Sequence, residues 1–470
     1  MKAPFISLLS ALGSAIAAQV NILGINDMHA NIDELPRLAT FLKTERSADP
    51  DVLLLSAGDN RTGNPYVDNG DEPGVPMIKL MNRLGFDLST LGNHEFDSGL
   101  IGLRDMLDVA NFNFVCANVQ TDSGARLNLK PYHIFERDGV KIGVIGLVQL
   151  GTGGIPDVHP DNVKGMKFNE PFKAVRDYAY LREKCDILIL LTHLGFEDDL
   201  KLAKLFPEAD AIIGGHSHTR VDKETRENGV LITQTENKVK YITRLSFDVE
   251  NGKILSKKAE LISLRGHGMD ADISAAVKAA KSNPYMSRQL ATIKPAITRR
   301  ESLGCLMANA VRAYAKTDVA VVNFGNVRLE EFPEGPFTVA DCYRLDPFGN
   351  QTIIFKATGK ELIDFLNAIP ATDHHGAPCV SGMRYKAIKP AAELQPMRIT
   401  EATMADGTSI APDKYYTVAT NSYLMTTVTP LPADPGTAYD TDGAHALMLY
   451  MEGKENVDYS TASNIDVSIE

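Results

Sequence analysis

Five short polar clusters, each directly behind an apolar run, constrain this chain more than any other feature of its first half. They are Asp27-Met28-His29, Gly58-Asp59-Asn60, Gly92-Asn93-His94-Glu95, Thr192-His193 and Gly215-His216-Ser217-His218. The apolar runs at 20–25, 52–55, 114–117, 142–147, 187–191 and 211–213 have strand length and β-branched content. Helical patterns at 35–45, 75–84, 171–184 and 200–206 lie between them. Strands alternating with helices predict an α/β domain with its helices outside. Open sheets of that kind hold ligands beyond the carboxyl ends of their strands, where these clusters fall.

The clusters supply aspartates, an asparagine and imidazoles, a donor set for two divalent cations. Two cations about 3.5–4 Å apart suit phosphoester hydrolysis, because they neutralise the anionic oxygens and generate hydroxide near neutral pH. Asp27 and His29 can reach one ion if the segment twists as it leaves its strand. Asp59 is the natural bridging carboxylate. Asn93 offers an amide oxygen, His193 an imidazole, and His216 and His218 can turn to different ions. His94 remains for proton work, with Asp97 placed to orient its ring if residues 95–96 form a helical turn. Taken singly, an Asp-x-His or Gly-Asp-Asn more often caps a helix or satisfies a loop. Their order and shared context behind strands carry the argument. Zn, Mn, Fe or Co would all accept these donors.

Length and charge narrow the rest. At 470 residues two or three domains are expected. The formal net charge of -12 argues against a nucleic-acid polymer as partner. Small anionic substrates remain compatible, since bound cations reverse the local field. Lys2, an uncharged apolar stretch over 4–17 and Ala15-Ile16-Ala17 read as a secretory signal, so residues 1–18 are expected to be removed and the protein to be periplasmic or secreted. The run is too short to span a membrane, and no lipid-anchor cysteine follows it. Cys116, Cys185, Cys305, Cys342 and Cys379 lack metal or redox spacing and read as buried small hydrophobes.

A helical connector is expected over 270–288. The second domain follows with helices at 302–314 and 359–368, strands at 319–322, 352–356 and 415–420, and a loop at 430–442. His374-His375, between Asp373 and Gly376, reads as a solvent-facing turn. Arg299-Arg300-Glu301 could place a guanidinium over phosphate or simply open a solvated helix. Glu95 is either a group behind the ligands or a helix-start acid.

The ladder Asp27-x-His29, Gly58-Asp59, Gly92-Asn93-His94-Glu95, His193, Gly215-His216-x-His218 resembles the calcineurin-like metallophosphoesterases. Asn323-Phe324-Gly325-Asn326-Val327-Arg328 resembles the Asn-x-Gly-Gly-x-Arg motif of the 5′-nucleotidase C-terminal domain. Pro347-Phe348-Gly349-Asn350 and Ser381-Gly382-Met383-Arg384 resemble two further segments of that domain. The resemblance implies a four-layer α/β/β/α metallophosphoesterase domain (19–265), a helical connector (266–291) and a smaller α/β substrate-binding domain (292–470).

It further implies one metal held by Asp27, His29, Asp59 and His218, and a second by Asp59, Asn93, His193 and His216. His94 and Asp97 match the catalytic dyad. Arg328, Asn323 and Phe348 match substrate contacts, and Arg300 is a further candidate from its own position. The expected activity is phosphate release from nucleotides, above all nucleoside 5′-monophosphates. Alternatives on the same scaffold are a 2′,3′-cyclic-nucleotide phosphodiesterase, a nucleotide-sugar hydrolase or a sulfur-oxyanion hydrolase; outside enzymes, a secreted nucleotide-binding protein. Monomer and dimer are both compatible with the sequence. Two departures stand out. Asn326 replaces the motif's second glycine, and the late Phe-x-x-x-Gly-Gly-Asp-Gly-aromatic motif is not intact, leaving Tyr423 and Tyr439 as candidates for a second base-stacking ring.

Overall fold

Alternate residues of a strand point to opposite faces, and here both faces are apolar. Ile22, Leu53, Leu55 and Leu88 point one way into a core shared with Ile142, Val144, Ile189 and Ile213. Leu23, Ile25 and Leu54 point the other way, onto helices. Strands buried on both faces require sheet packed on sheet with helices outside. The computed structural model has that arrangement. It describes residues 18–69, 72–121, 127, 129–151, 153–369, 376–389 and 397–469. The signal-like segment before residue 18 and His374-His375 lie outside the described residues.

One six-stranded sheet runs, in sequence order of its parallel members, Ala18–Ile25, Leu53–Ser56, Leu88–Thr90 and Asn113–Val115. The antiparallel pair Tyr241–Glu250 and Lys253–Ser263 extends it beyond Ala18–Ile25. The second six-stranded sheet has Val140–Val148, Ile187–His193, Ala211–Ile213 and Val230–Thr233 parallel, with antiparallel edges at Tyr132–Arg137 and Thr225–Glu227. Leu35–Ala48, Val75–Leu84 and Gly99–Val109 cover the outer face of the first sheet. Phe196–Leu205 and the segment from Pro171 to Glu183 cover the second. The result is the expected four-layer α/β/β/α domain.

Local differences from expectation have local causes. Leu88–Thr90 is too short to stand out as a run, yet it precedes Asn93. Residues 171–184 form Pro171–Ala174 followed by a 3-10 helix, Val175–Glu183, rather than one α-helix. The connector helix is confined to Ala271–Ala280, where Asp270 accepts hydrogen bonds from the Asp272 and Ile273 amides. Its Ile273 and Val277 sit in the same core as Leu35 and Leu38. No helix of the described residues is long and apolar enough to cross a membrane.

The second α/β unit has its own cores. Arg300–Ala315 packs on a five-stranded sheet ordered Cys379–Ser381, Val319–Val322, Tyr415–Asn421, Gln351–Thr358 and Thr437–Asp442. The last strand corrects the expected loop at 430–442. Its Thr437, Ala438 and Asp442 pair with Gln351–Thr358, so a turn-like composition is recruited as an edge strand. All five cysteines are buried and unpaired, as small apolar fillers.

Candidate active site

The polar clusters share a position in the fold: each lies at or just beyond the carboxyl end of a parallel strand in one of the two sheets. Asp27 follows Ile25, Asp59 follows Ser56, Asn93 follows Thr90, His193 ends its own strand, and His216 follows Ile213. Five of these groups have left-handed backbones: Asp27 (φ 49°), His29 (φ 47°), Asp59 (φ 51°), His216 (φ 79°) and His218 (φ 54°). That conformation costs non-glycine residues energy and is retained where side chains must be aimed. Glycines let the loops nest. A Cβ on Gly92 would lie 2.2 Å from Asp59 Oδ1, closer than atoms can approach.

Two carboxylate oxygens organise the cluster. Asp59 Oδ1 accepts the His94 amide (2.9 Å), leaving Oδ2 facing His193 Nε2 (3.2 Å), His29 Nε2 (3.9 Å) and His94 Nε2 (3.9 Å). Asp27 Oδ2 accepts from Asn26 Nδ2 (2.6 Å) and the His216 amide (3.0 Å). Its Oδ1 faces His218 Nε2 (3.4 Å) and His29 Nε2 (3.8 Å). On the far side, His216 Nδ1 lies 3.1 Å from Asn93 Oδ1. Three overlapping groups come within metal-holding distance: Asp27, His29 and His218; His29, Asp59 and His94; Asp27, Asp59 and His193.

The donor chemistry fits divalent ions. The Ala57 carbonyl 2.7 Å from His193 Nδ1 fixes the ring proton there, and His193 Nε2 is left buried without a hydrogen bond. The Thr62 carbonyl 3.1 Å from His29 Nδ1 does the same for His29, so its Nε2 lone pair faces His218 Nε2 at 2.9 Å. Asn237 Nδ2 lies 3.0 Å from His218 Nδ1, while Asn237 Oδ1 is buried and unpaired. Rotating that amide pairs Oδ1 with an Nδ1–H and frees the His218 Nε2 lone pair. Electrostatics agree. Burial opposes a charge on His193, but Asp59 and Asp27 outweigh it and push the imidazole up to about 10. Burial and the neighbouring His193 push His216 down to about 4. Protonated His193 thus balances the two buried carboxylates, and a bound cation would take over that role in exchange for the proton.

His94 and Asp97 stand as a pair. Residues His94–Phe96 form a 3-10 turn, which brings Asp97 Oδ2 to 2.8 Å from His94 Nδ1. Burial lowers the ring's basicity, but Asp97 and Asp59 together raise it above the ordinary value. Thr62 Oγ1 donates to the same Asp97 oxygen at 2.6 Å.

The second unit reaches into this cluster. Arg328 is half-buried with Nη2 3.4 Å from His29 Nδ1, and its guanidinium lies 5.5 Å from the Phe348 ring centre. Phe348 also faces His94, centroid to centroid 5.9 Å. Arg300 spends its donors on the Val327 carbonyl (2.8 Å) and the Phe324 carbonyl (3.3 Å), with Glu330 at 3.4 Å. It clamps the turn that carries Arg328. Asn323 Oδ1 accepts from Asn421 Nδ2 (2.9 Å). Asn326 has no left-handed backbone, so the motif's second glycine is not required at this position. Its amide instead donates to Asp346 Oδ1 (3.3 Å), two residues before Phe348.

Of the two readings of Glu95, the group behind the ligands is the one its contacts support, and other supporting groups carry no motif. Glu95 is neither an exposed acid nor a ligand: its carboxylate accepts the Asp59 (2.9 Å), Asn60 (2.8 Å) and Gly92 (2.6 Å) amides, tying two ligand loops together. Thr62 and Asn237 carry no motif signal and are identified only by their contacts. Asp157 Oδ2 lies 3.7 Å from His216 Nε2. Tyr423 packs on the second unit's core within electrostatic reach of Asp157, whereas Tyr439 is 42% exposed.

Residues 20–220 match the family model for the calcineurin-like phosphoesterase, and residues 278–430 that for the 5′-nucleotidase C-terminal domain. A 5′-nucleotidase of Vibrio cholerae is 30% identical over 381 residues, 68% of this chain and 68% of that protein. The chain belongs to the 5′-nucleotidase family. The family's fold is shared in full by a 5′-nucleotidase precursor from Thermus thermophilus, with TM-score 0.82, 25% identity, and coverage of 96% of this chain and 99% of the other. Endonuclease YhcR of Bacillus subtilis is 30% identical over 462 residues, 87% of this chain; the chain spans only 37% of that relative's length. With both family domains and overlapping groups of metal-holding residues, the chain carries the apparatus of the metal-dependent phosphoric ester hydrolases.

Proposed function

We propose that this protein is an exported two-metal phosphohydrolase that releases phosphate from nucleotides, with nucleoside 5′-monophosphates the principal substrates. The division into a catalytic domain (19–265), a connector (266–291) and a substrate-binding domain (292–470) is part of the same reading. The observation that carries it is the meeting of the two units: Arg328 and Phe348 from the second lie against His29 and His94 of the first. A phosphoryl group at the metal cluster would there meet a guanidinium, and an attached base an aromatic face.

One ion would be held by Asp27, His29, Asp59 and His218, the other by Asp59, Asn93, His193 and His216. When bound, the ions supply positive charge against the phosphoryl oxygens and make water acidic enough to attack near neutral pH. The chain's own residues do the rest. His94 Nε2 points to the Asp59 side and is placed to give its proton to the leaving oxygen, while Asp97 and Thr62 hold the ring. Arg328 binds and orients the anion. Phe348 takes the base, Tyr423 is the candidate for a second ring, and Asn323 contacts the base or the ribose.

The test is a phosphate-release screen over mono-, di-, sugar and cyclic nucleotides, with chelator and with metals added back. Release from monophosphates that stops with chelator and falls by about two to four orders of magnitude in His94→Ala is expected. A metal-replete protein idle on all of them would refute the reading. Resemblance over most of the chain to a relative named as an endonuclease supports a second reading, phosphodiester cleavage in polymers. Including single- and double-stranded DNA in the screen separates the two.

A further inference from the structure

The loop from Thr235 to Lys240 runs past the metal cluster, and one of its side chains has no role in the account above. Glu236 (φ 62°), Lys238 (φ 55°) and Val239 (φ 61°) all have left-handed backbones, a run that only a specific set of contacts can hold in place. Two backbone bonds pin it: the Lys238 amide donates to the Asp27 carbonyl (2.8 Å), and Asn31 Nδ2 donates to the Lys238 carbonyl (2.8 Å). Asn237 beside it contacts His218. The loop is thus registered to the cluster on both sides of Lys238.

The Lys238 ammonium is half-buried and makes no hydrogen bond or ion pair with a described residue. The charged groups facing it are Arg328 and Arg300 from the second unit, Lys240 on its own loop, and Glu330. Of these neighbours only Glu330 is an acid. Glu330 is already 3.4 Å from Arg300 Nη1, and Arg300 is further engaged by two carbonyls. A half-buried ammonium within electrostatic reach of two guanidinium groups, with no anion of its own, is unfavourable unless a ligand supplies the anion.

We propose that Lys238, on a loop hydrogen-bonded to Asp27, binds a second anionic group of the substrate, a phosphoryl or carboxylate adjacent to the phosphoryl that is transferred. The proposal rests on the phosphohydrolase reading for the transferred group, whereas the pairing of Lys238 with an anion is a binding property that can be measured without turnover. Lys238 is on this view a specificity-determining residue: it favours substrates with two neighbouring negative groups over those with one.

The experiment measures binding of adenosine 5′-monophosphate and 5′-diphosphate by calorimetry to chelator-treated protein, and KM for both in the metal-loaded protein. In Lys238→Met the ratio of diphosphate to monophosphate affinity is expected to fall about tenfold. Lys238→Arg should retain most of the ratio. Glu330→Gln, at an exposed residue, should raise it and serves if the Lys238 variants fold poorly. An unchanged ratio in Lys238→Met, whether both ligands weaken equally or neither does, overturns the proposal. A shifted binding ratio in a protein that releases no phosphate from any nucleotide would leave Lys238 assigned and sink the enzymatic reading alone.

Discussion

Asp59 and Asp27 divide their oxygens by job. One oxygen of each carboxylate is spent on backbone or amide hydrogen bonds, which fixes the other on the imidazole nitrogens. Such orientation is worth most when nothing can shift, so small changes around Asp59 should be costly. Gly92→Ala is expected to lower phosphate release at least a hundredfold, because its methyl would overlap Asp59 Oδ1; rates within threefold of wild type would show that the loop yields instead. Thr62→Val removes the hydroxyl that holds Asp97. A fall in kcat of about tenfold is expected, with KM nearly constant, as for loss of one hydrogen bond to a charged group. These supporting residues were illegible in the sequence for a physical reason. Thr62 acts through its carbonyl and hydroxyl and Asn237 through one amide, and neither contact leaves a spacing pattern.

The strands that place the ligands were largely readable, because strands buried on both faces are continuous apolar runs ending in polar clusters. Leu88–Thr90 was lost to its length and Thr437–Asp442 to its turn-like residues, although pairing with a neighbour makes each a strand. The Arg328 turn shows how an element can be held by groups far along the chain. Asp346 accepts from Asn326, lies against Gly443 at the start of the helix Gly443–Met451, and precedes the Phe348 loop. Burial, then Asp442, push its carboxyl up to about 7 from the ordinary 3.8. The folded state therefore keeps a proton that the unfolded chain releases from about pH 4. This group's contribution to stability is complete below pH 4, falls as pH rises, and is lost above about pH 7. Asp346→Asn should flatten that slope and raise stability at pH 8 relative to wild type by up to a few kcal/mol in urea unfolding. Parallel pH profiles for the two proteins would contradict the assignment.

The molecule as a whole brings two chemically incomplete surfaces together. The first unit holds carboxylates and imidazoles; the second contributes Arg328 and Phe348, and Tyr66 of the first packs on the second's core with its hydroxyl 3.3 Å from Ser287 Oγ. Arg328→Ala is expected to raise KM for a nucleoside monophosphate about tenfold or more, with a smaller loss in kcat, since a charge-assisted contact is removed. The metal ladder was legible in sequence because its polar clusters recur in order, most of them behind a recognisable strand. The meeting of Arg328 with His29 was not, because 299 residues separate them and no local pattern encodes a contact between domains. A two-ion centre bridged by Asp59 is what every catalytic role above depends on. Its most direct test is metal content per chain, measured by mass spectrometry after loading and exhaustive dialysis, for wild type and Asp59→Asn. Two ions per wild-type chain and fewer than two in the variant are predicted. One ion or none in the wild type, or the same content in both proteins, would contradict it.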